Sequence, residues 1–213
     1  MTQRSYDSLR TVAGEVSRET FESLLHLDEM LHRWNASINL VAPSTIGQSW
    51  ERHILDSAQL WPLIGEAADL ADLGSGGGFP GLVLATLLKQ KSGGSIRLVE
   101  SNRKKASFLQ NAVGALKLPA KVLPERIEKA VSTTPAPRII TARALASLST
   151  LLALAEPWFT SGSRGIFHKG RDYHREIEES TANWRFNLIE HRSRIDADSV
   201  ILEVSDVARI NAG

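Results

Sequence analysis

The chain has 213 residues, 42% hydrophobic and 23% charged, with a net charge of +1 and no cysteine. That length suits one domain with a proper core, and the near-neutral balance excludes a global pull on nucleic acid, so any such surface is a local patch. The missing thiols exclude a disulfide framework and thiolate zinc sites. No apolar run is long enough to span a bilayer and the polar N-terminus is unlike a signal peptide, so a cytoplasmic protein without membrane contact is expected.

Residues 1–17 read as a short helix or loose arm. From the N-cap Ser17, apolar residues at Phe21, Leu24, Leu25, Leu31 and Trp34 follow helical spacing. A second helix is expected from about Ser44 to Trp61, with Trp50, Ile54, Ala58 and Trp61 inward and Pro62 ending it. Residues 1–64 thus form a helical cap, and residues 65–213 the core of the same domain. Within that core, strands are expected at 68–73, 95–100, 121–123, 138–144 with the strand's exit included, and 165–170. Helical patterns run from 82, from 101 and over 148–156 and 172–183. Two last strands, 186–195 and 199–204, close the chain as an antiparallel pair. Strands alternating with helices predict an α/β fold with a mostly parallel sheet.

The chain is organised around Asp72-Leu73-Gly74-Ser75-Gly76-Gly77-Gly78-Phe79-Pro80-Gly81, where an apolar strand breaks into five glycines within eight residues before a helix. Free N–H groups in such a turn make a site for the polar part of a nucleotide-like ligand. Gly76-x-Gly78-x-x-Gly81 satisfies the dinucleotide fingerprint, which keeps an NAD-dependent oxidoreductase as a rival. The glycine frame opens earlier, however, and Asp72, two places before Gly74, resembles the first motif of S-adenosylmethionine (SAM) methyltransferases. A carboxylate there suits a ligand with an amino-acid end and a sulfonium, and would repel a pyrophosphate. Glu100, ending the next strand about twenty residues on, is spaced to accept both ribose hydroxyls of either ligand. In methyltransferase folds the residues after the third strand hold adenine, which places Ile127 and Glu128.

The fourth strand exits as Thr141-Ala142-Arg143-Ala144, without the Asp/Asn-Pro-Pro-aromatic turn that holds an exocyclic amine for methylation. Glu156-Pro157-Trp158-Phe159 mimics that turn about a helix too late and reads as a helix terminus. A pyrimidine C5 acceptor is excluded as well, since that route needs a cysteine nucleophile. A ring nitrogen such as guanine N7 needs only positioning and charge placement. Arg143 could donate to the guanine O6/N7 edge or hold the SAM carboxylate, and Lys169, ending the fifth strand, faces the same side of the sheet.

His53, Asp56 and Ser57 fall at i, i+3 and i+4 on one helix face. Consecutive helix turns do not give triad geometry, and these ligands are too few for a metal; no metal is expected. The polar face meets the cofactor turn or substrate, or else braces cap to core. Arg103, Lys104 and Lys105 open a helix against its dipole, either as a solvated face or as an RNA-phosphate contact.

The runs Trp34 to Asn39-Leu40, Arg52-His53-Ile54-Leu55-Asp56-Ser57, Asp72 to Gly81, Glu100 to Lys105, Thr141-Ala142-Arg143-Ala144 and His168-Lys169-Gly170 resemble the RsmG (GidB) family over about residues 20–205. These are bacterial 16S ribosomal RNA guanine-N7 methyltransferases. The resemblance implies a Rossmann-like class I SAM-dependent methyltransferase sheet of seven strands, mostly parallel with the last pair antiparallel, under an N-terminal helical cap. It implies a SAM site at Gly74, Phe79, Ile127, Glu128 and Arg143, joined by Asp72, Gly76, Gly78 and Glu100. Arg143 and Lys169 would stand at the acceptor as the catalytic pair, with Arg103, Lys104, Lys105 and Lys169 on RNA and His53, Asp56 and Ser57 as a brace. The reaction implied is direct in-line transfer without a covalent enzyme intermediate, on 16S rRNA or the small ribosomal subunit; a monomer is expected. Gly77 stands where relatives often have alanine or proline, which predicts a looser turn for the same ligand. The rival outside enzymes is a SAM-fold RNA-binding module, which would bind RNA without methyl transfer.

Overall fold

The computed structural model describes residues 4–210. The chain begins with α1 (Tyr6–Ala13) and α2 (Arg18–Asn35). Ser17 caps α2, its hydroxyl accepting from Thr20 N–H at 3.0 Å, which satisfies one of the orphan donors at the helix start. Of the short helix or loose arm expected for residues 1–17, the structure shows the helix, α1, and residues 1–3 lie outside the described residues.

The single helix expected over 44–61 is broken. α3 (Pro43–Ile46) is followed by a π-helical turn, Trp50–Leu55, which runs into α4 (Asp56–Ala58), and then by α5 (Trp61–Ile64). Pro62 opens α5 instead of ending a helix, because a first turn has no use for the missing N–H. Trp50, Ile54 and Ala58 are buried, whereas Trp61 is only half-buried.

The core alternates β1 (Asp69–Leu73), α6 (Gly81–Leu88), β2 (Ser95–Val99), α7 (Arg103–Ala115), β3 (Ala120–Leu123), α8 (Ile127–Thr133) and β4 (Ile139–Arg143). Two short helices follow, α9 (Leu148–Leu154) and α10 (Glu156–Thr160), then β5 (Arg164–Lys169), α11 (Tyr173–Thr181), β6 (Trp184–Arg192) and β7 (Val200–Arg209). Glu156-Pro157-Trp158-Phe159 forms α10, with Trp158 and Phe159 buried in the core. The seven strands make one sheet in the order β3-β2-β1-β4-β5-β7-β6. All pairings are parallel except those of β7, which runs antiparallel to β5 and β6. This is the expected sheet, although β6 begins and ends earlier than its expected bounds and β7 runs on to Arg209.

Alternation along each strand divides the core. Leu70, Ile139 and Ile166 face the side that carries the cap, while Ala71, Ile140 and Phe167 face α8, α9 and α10. The cap also explains α6, which is buried at all eight positions. One side of it packs on β2 and the other on α2 and α4, so no face is left for solvent. Strand order reverses between β1 and β4, which places a crevice at their C-terminal ends, where α/β sheets bind ligands. Among the described residues no helix is long and apolar enough to cross a membrane.

Candidate functional site

A cavity of about 620 Å³ occupies that crevice, within the range of ligand pockets. Its floor is the turn after β1, its sides are the chain leaving β2, β3 and β4, and the cap segment Leu40–Ala42 with Thr45 and His53 forms the roof. The turn depends on two glycines in different ways. Gly74 has φ 64°, and a Cβ there would lie 2.6 Å from the Leu145 side chain, so both backbone and space demand glycine. At Gly77 a Cβ would lie 2.7 Å from the backbone oxygen of Leu40. The turn is tight there against the cap and not loose, because Asn35 Oδ1 accepts from both Leu40 and Val41 N–H, at 2.9 and 3.0 Å, and pins that segment.

The amides of the turn are largely engaged from within. Ser75 N–H donates to Val99 O, Gly78 N–H to Ser75 O, and Gly76 N–H to Glu100 Oε2 at 2.8 Å. Glu100 is 8% exposed, and its Oε1 accepts from Asn102 N–H at 2.7 Å. One carboxylate thus ties the β1 turn to the β2 exit. It has about four lone-pair sites, so two remain for a ligand.

Gly74, Gly76, Phe79, Glu100, Ile127, Glu128 and Arg143 line the cavity. Asp72 and Gly78 do not. A Cβ on Gly78 would run into Leu82, so this glycine packs on α6. Asp72 is 1% exposed, beneath the turn, and its Oδ1 accepts from Thr141 Oγ1 at 2.8 Å across the β1–β4 pairing. Its Oδ2 has no hydrogen-bond partner. Burial raises its pKa from 3.8 to about 6, offset in part by the Thr141 bond, by the neighbouring Ser75 hydroxyl, which donates to the Asp72 backbone oxygen, and by the Arg143 charge.

Arg143 is the junction between sheet and cap. Its Nη1 donates to Asp56 Oδ2 and Arg52 O, both at 3.0 Å, and its Nη2 to His53 Nδ1 at 3.1 Å. The guanidinium lies 5.3 Å from the Phe79 ring centroid, and His53 stacks on the same ring at 5.1 Å. With Nδ1 accepting, His53 carries its proton on Nε2, 3.0 Å from Thr45 Oγ1, which passes its own to Ala42 O. Burial and then the Arg143 charge push the His53 pKa down to about 4, so the ring is neutral near pH 7. Asp56 also accepts from Gln59 Nε2 at 2.8 Å, and its backbone oxygen receives His168 Nε2 at 2.9 Å. Ser57 takes no part: it is buried and donates to His53 O, 2.6 Å away in its own helical segment. The π-helical geometry ahead of it departs from the even spacing on which the three-residue face was read.

Lys169 does not reach the large cavity. It is 6% exposed and lines a second one of about 220 Å³, with Glu176, His168 and Asp56. Arg103, Lys104 and Lys105 open α7, where Asn102 Oδ1 accepts from the Lys104 and Lys105 amides at 3.0 and 3.2 Å. Arg103 and Lys104 are exposed, Lys105 lines the large cavity, and none of the three forms an ion pair among the described residues. Sequence reasoning set the His53 face against the cofactor turn or in a brace but missed the Leu40–Ala42 part of the roof, although the Trp34 to Leu40 run contained its anchor Asn35. It also missed Glu176, which no spacing relates to Lys169.

The family model described as rRNA small subunit methyltransferase G (GidB) matches residues 20–198. The chain is 52% identical over 210 residues to the Ribosomal RNA small subunit methyltransferase G of Chelativorans sp., covering 99% of this chain and 100% of that protein. It is 52% identical to the protein of the same name from Brucella canis, over 96% of each chain. Among solved structures, an O-methyltransferase from Bacillus cereus in complex with SAH superposes with a TM-score of 0.57 at 15% identity, covering 94% of this chain and 96% of that one. That likeness shows a shared methyltransferase fold. With a family match over most of its length and curated relatives at this identity from end to end, the chain belongs to the GidB family of rRNA small subunit methyltransferases G.

Proposed function

We propose that this SAM-dependent methyltransferase modifies N7 of a guanine in 16S rRNA, taken as free RNA or within the small ribosomal subunit, in the cytoplasm. The carrying observation is the large cavity, whose residues fit the cofactor. Its volume of about 620 Å³ suits a ligand of that size. Glu100 is pinned by two backbone amides with lone pairs left for ribose hydroxyls, and Ile127 and Glu128 open α8 on the side suited to adenine. When bound, SAM supplies an electrophilic methyl group on a sulfonium. The guanine-N7 reading is supported by what the β4 exit offers: Arg143 held in place as a fixed cation, and His53 neutral with both ring nitrogens engaged. Neither is poised to remove a proton, and N7, with a free lone pair, asks for none. Arg143 would work through its remaining N–H donors, since three of the five on a guanidinium are engaged here. Arg103, Lys104 and Lys105, at the start of α7 with Lys105 lining the cavity and none of them in an ion pair among the described residues, would hold RNA phosphate.

The test is transfer from tritiated SAM to small-subunit RNA of cells lacking this gene, followed by mapping of N7-methylguanine. Label at a single guanine is the expected result. Cofactor binding without transfer to RNA or to subunits would overturn the reading and favour a non-catalytic module.

A further inference from the structure

The smaller cavity adjoins the larger one, and Arg143, Ala144 and Ala146 wall both. Its 220 Å³ equals the space of about seven liquid water molecules, room for a bicyclic base. The inner wall is an ion pair. Lys169 Nζ donates to Glu176 Oε2 at 2.7 Å and to Ala146 O at 2.6 Å. Leu148 N–H donates to the same Oε2 at 2.7 Å. Every bond Glu176 accepts on its side chain thus falls on one oxygen, and Oε1 takes none from the described residues. An ammonium has three donors, so Lys169 keeps one uncommitted.

Two further features distinguish this place. His168, 8% exposed in the same wall, gives its Nε2 proton to Asp56 O, which leaves Nδ1 a buried acceptor without a partner. Such groups are rare in a finished core. Ala144, between the cavities, has φ 51°, a conformation that strains a residue with a Cβ and that gathers at functional sites.

We propose that the small cavity seats the acceptor base, with Glu176 Oε1 accepting from N1–H and the 2-amino group of guanine and Lys169 donating to O6. The assignment rests on the guanine-N7 reading and extends it to how the base is chosen. O6 lies between N1 and N7 on the ring perimeter, so holding N1 and O6 against the inner wall turns N7 toward Arg143 and the larger cavity. Adenine offers the reverse pattern, an acceptor at N1 and a donor at position 6, and would set a lone pair against the carboxylate and a donor against the ammonium. Sites built around such bonds reject the mismatched partner strongly.

The experiment is single-turnover methylation, at saturating enzyme, of small-subunit RNA carrying guanosine or inosine at the target position. RNA affinity is measured in parallel by filter binding. Inosine keeps N1–H, O6 and N7 and lacks only the 2-amino group. The wild-type protein is expected to methylate inosine about 10- to 100-fold more slowly, the loss of a hydrogen bond to a charged group, with RNA affinity little changed. In Glu176→Gln the amide oxygen stays on Leu148 N–H and Lys169, so its NH2 replaces Oε1 and meets donors with donors. That variant should be slower on both RNAs, with the difference between them gone. A purely structural Glu176 would slow both and keep their ratio. Equal wild-type rates on guanosine and inosine would overturn the pocket while leaving the N7 reading in place, and this comparison decides even if the variant fails to fold. No N7-methylguanine on guanosine RNA would overturn both.

Discussion

Replacing Asp72 with asparagine should make the protein more stable at neutral pH, and the gain should depend on pH in a defined direction. Asp72 lies wholly buried beneath the glycine turn, with one oxygen on Thr141 and the other unpartnered. Its pKa rises from 3.8 to about 6. A shift of about two units corresponds to about 3 kcal/mol. Between those values the folded state binds the proton and the unfolded state does not, so this residue stabilises the fold at low pH and the contribution is lost as pH rises through about 6. Roughly 1.5 kcal/mol of the change falls between pH 5 and pH 8, where urea titrations are practicable.

The wild-type curve alone would conceal this. His53 is depressed from 6.5 to about 4, so its contribution runs the other way: stability present above pH 6.5 is lost as pH falls through about 4. His168 is lowered by burial and adds in the same sense as His53. Subtracting wild type from Asp72→Asn isolates the acid, since asparagine keeps an oxygen for Thr141 and does not titrate. The difference should grow in favour of the variant by about 1.5 kcal/mol from pH 5 to pH 8. A difference that stays flat over that interval would mean Asp72 is not buried as an ionisable acid, and the reasoning about the turn's underside would fall.

Arg143→Lys keeps the charge but loses the fork that spans Asp56, Arg52 O and His53. With side chains 17% and 13% exposed at the ion pair, the loss should be about 1–3 kcal/mol, and denaturant melting at the wild-type midpoint would dismiss the brace. Gly77→Ala drives a Cβ against the Leu40 backbone and should cost about 1–3 kcal/mol as overpacking and weaken SAM; calorimetry showing unchanged affinity would mean the roof moves freely. Changing Arg103, Lys104 and Lys105 together to alanine should flatten the salt dependence of RNA binding by about three in slope, about one for each phosphate that is no longer neutralised. An unchanged slope would take these cations off the RNA.

What could be read from the sequence was whatever short-range chemistry dictates. The Asp72 to Gly81 stretch announces strand, turn and helix because five glycines in eight residues have few other uses, and alternating strands and helices predict the sheet to within a few residues. The cap was less legible. A π-helical turn has no periodic signature, so the segment from Trp50 onward read as ordinary helix, and Pro62 carried the same letter whether ending one element or opening the next. The site residues divide along the same line. Glu100 and Arg143 sit at strand ends, where topology alone brings them to the crevice, and both line it. Asp72 is one residue from a strand end, yet pleating turns it under the turn toward Thr141 instead of into the cavity. The pairing of Lys169 with Glu176 needs α11 folded back over the exit of β5, and the closeness of Gly77 to Leu40 needs the cap docked on the turn. Such contacts are set by packing between distant segments, and it is in them that base selection and the closing of the cofactor cavity should reside.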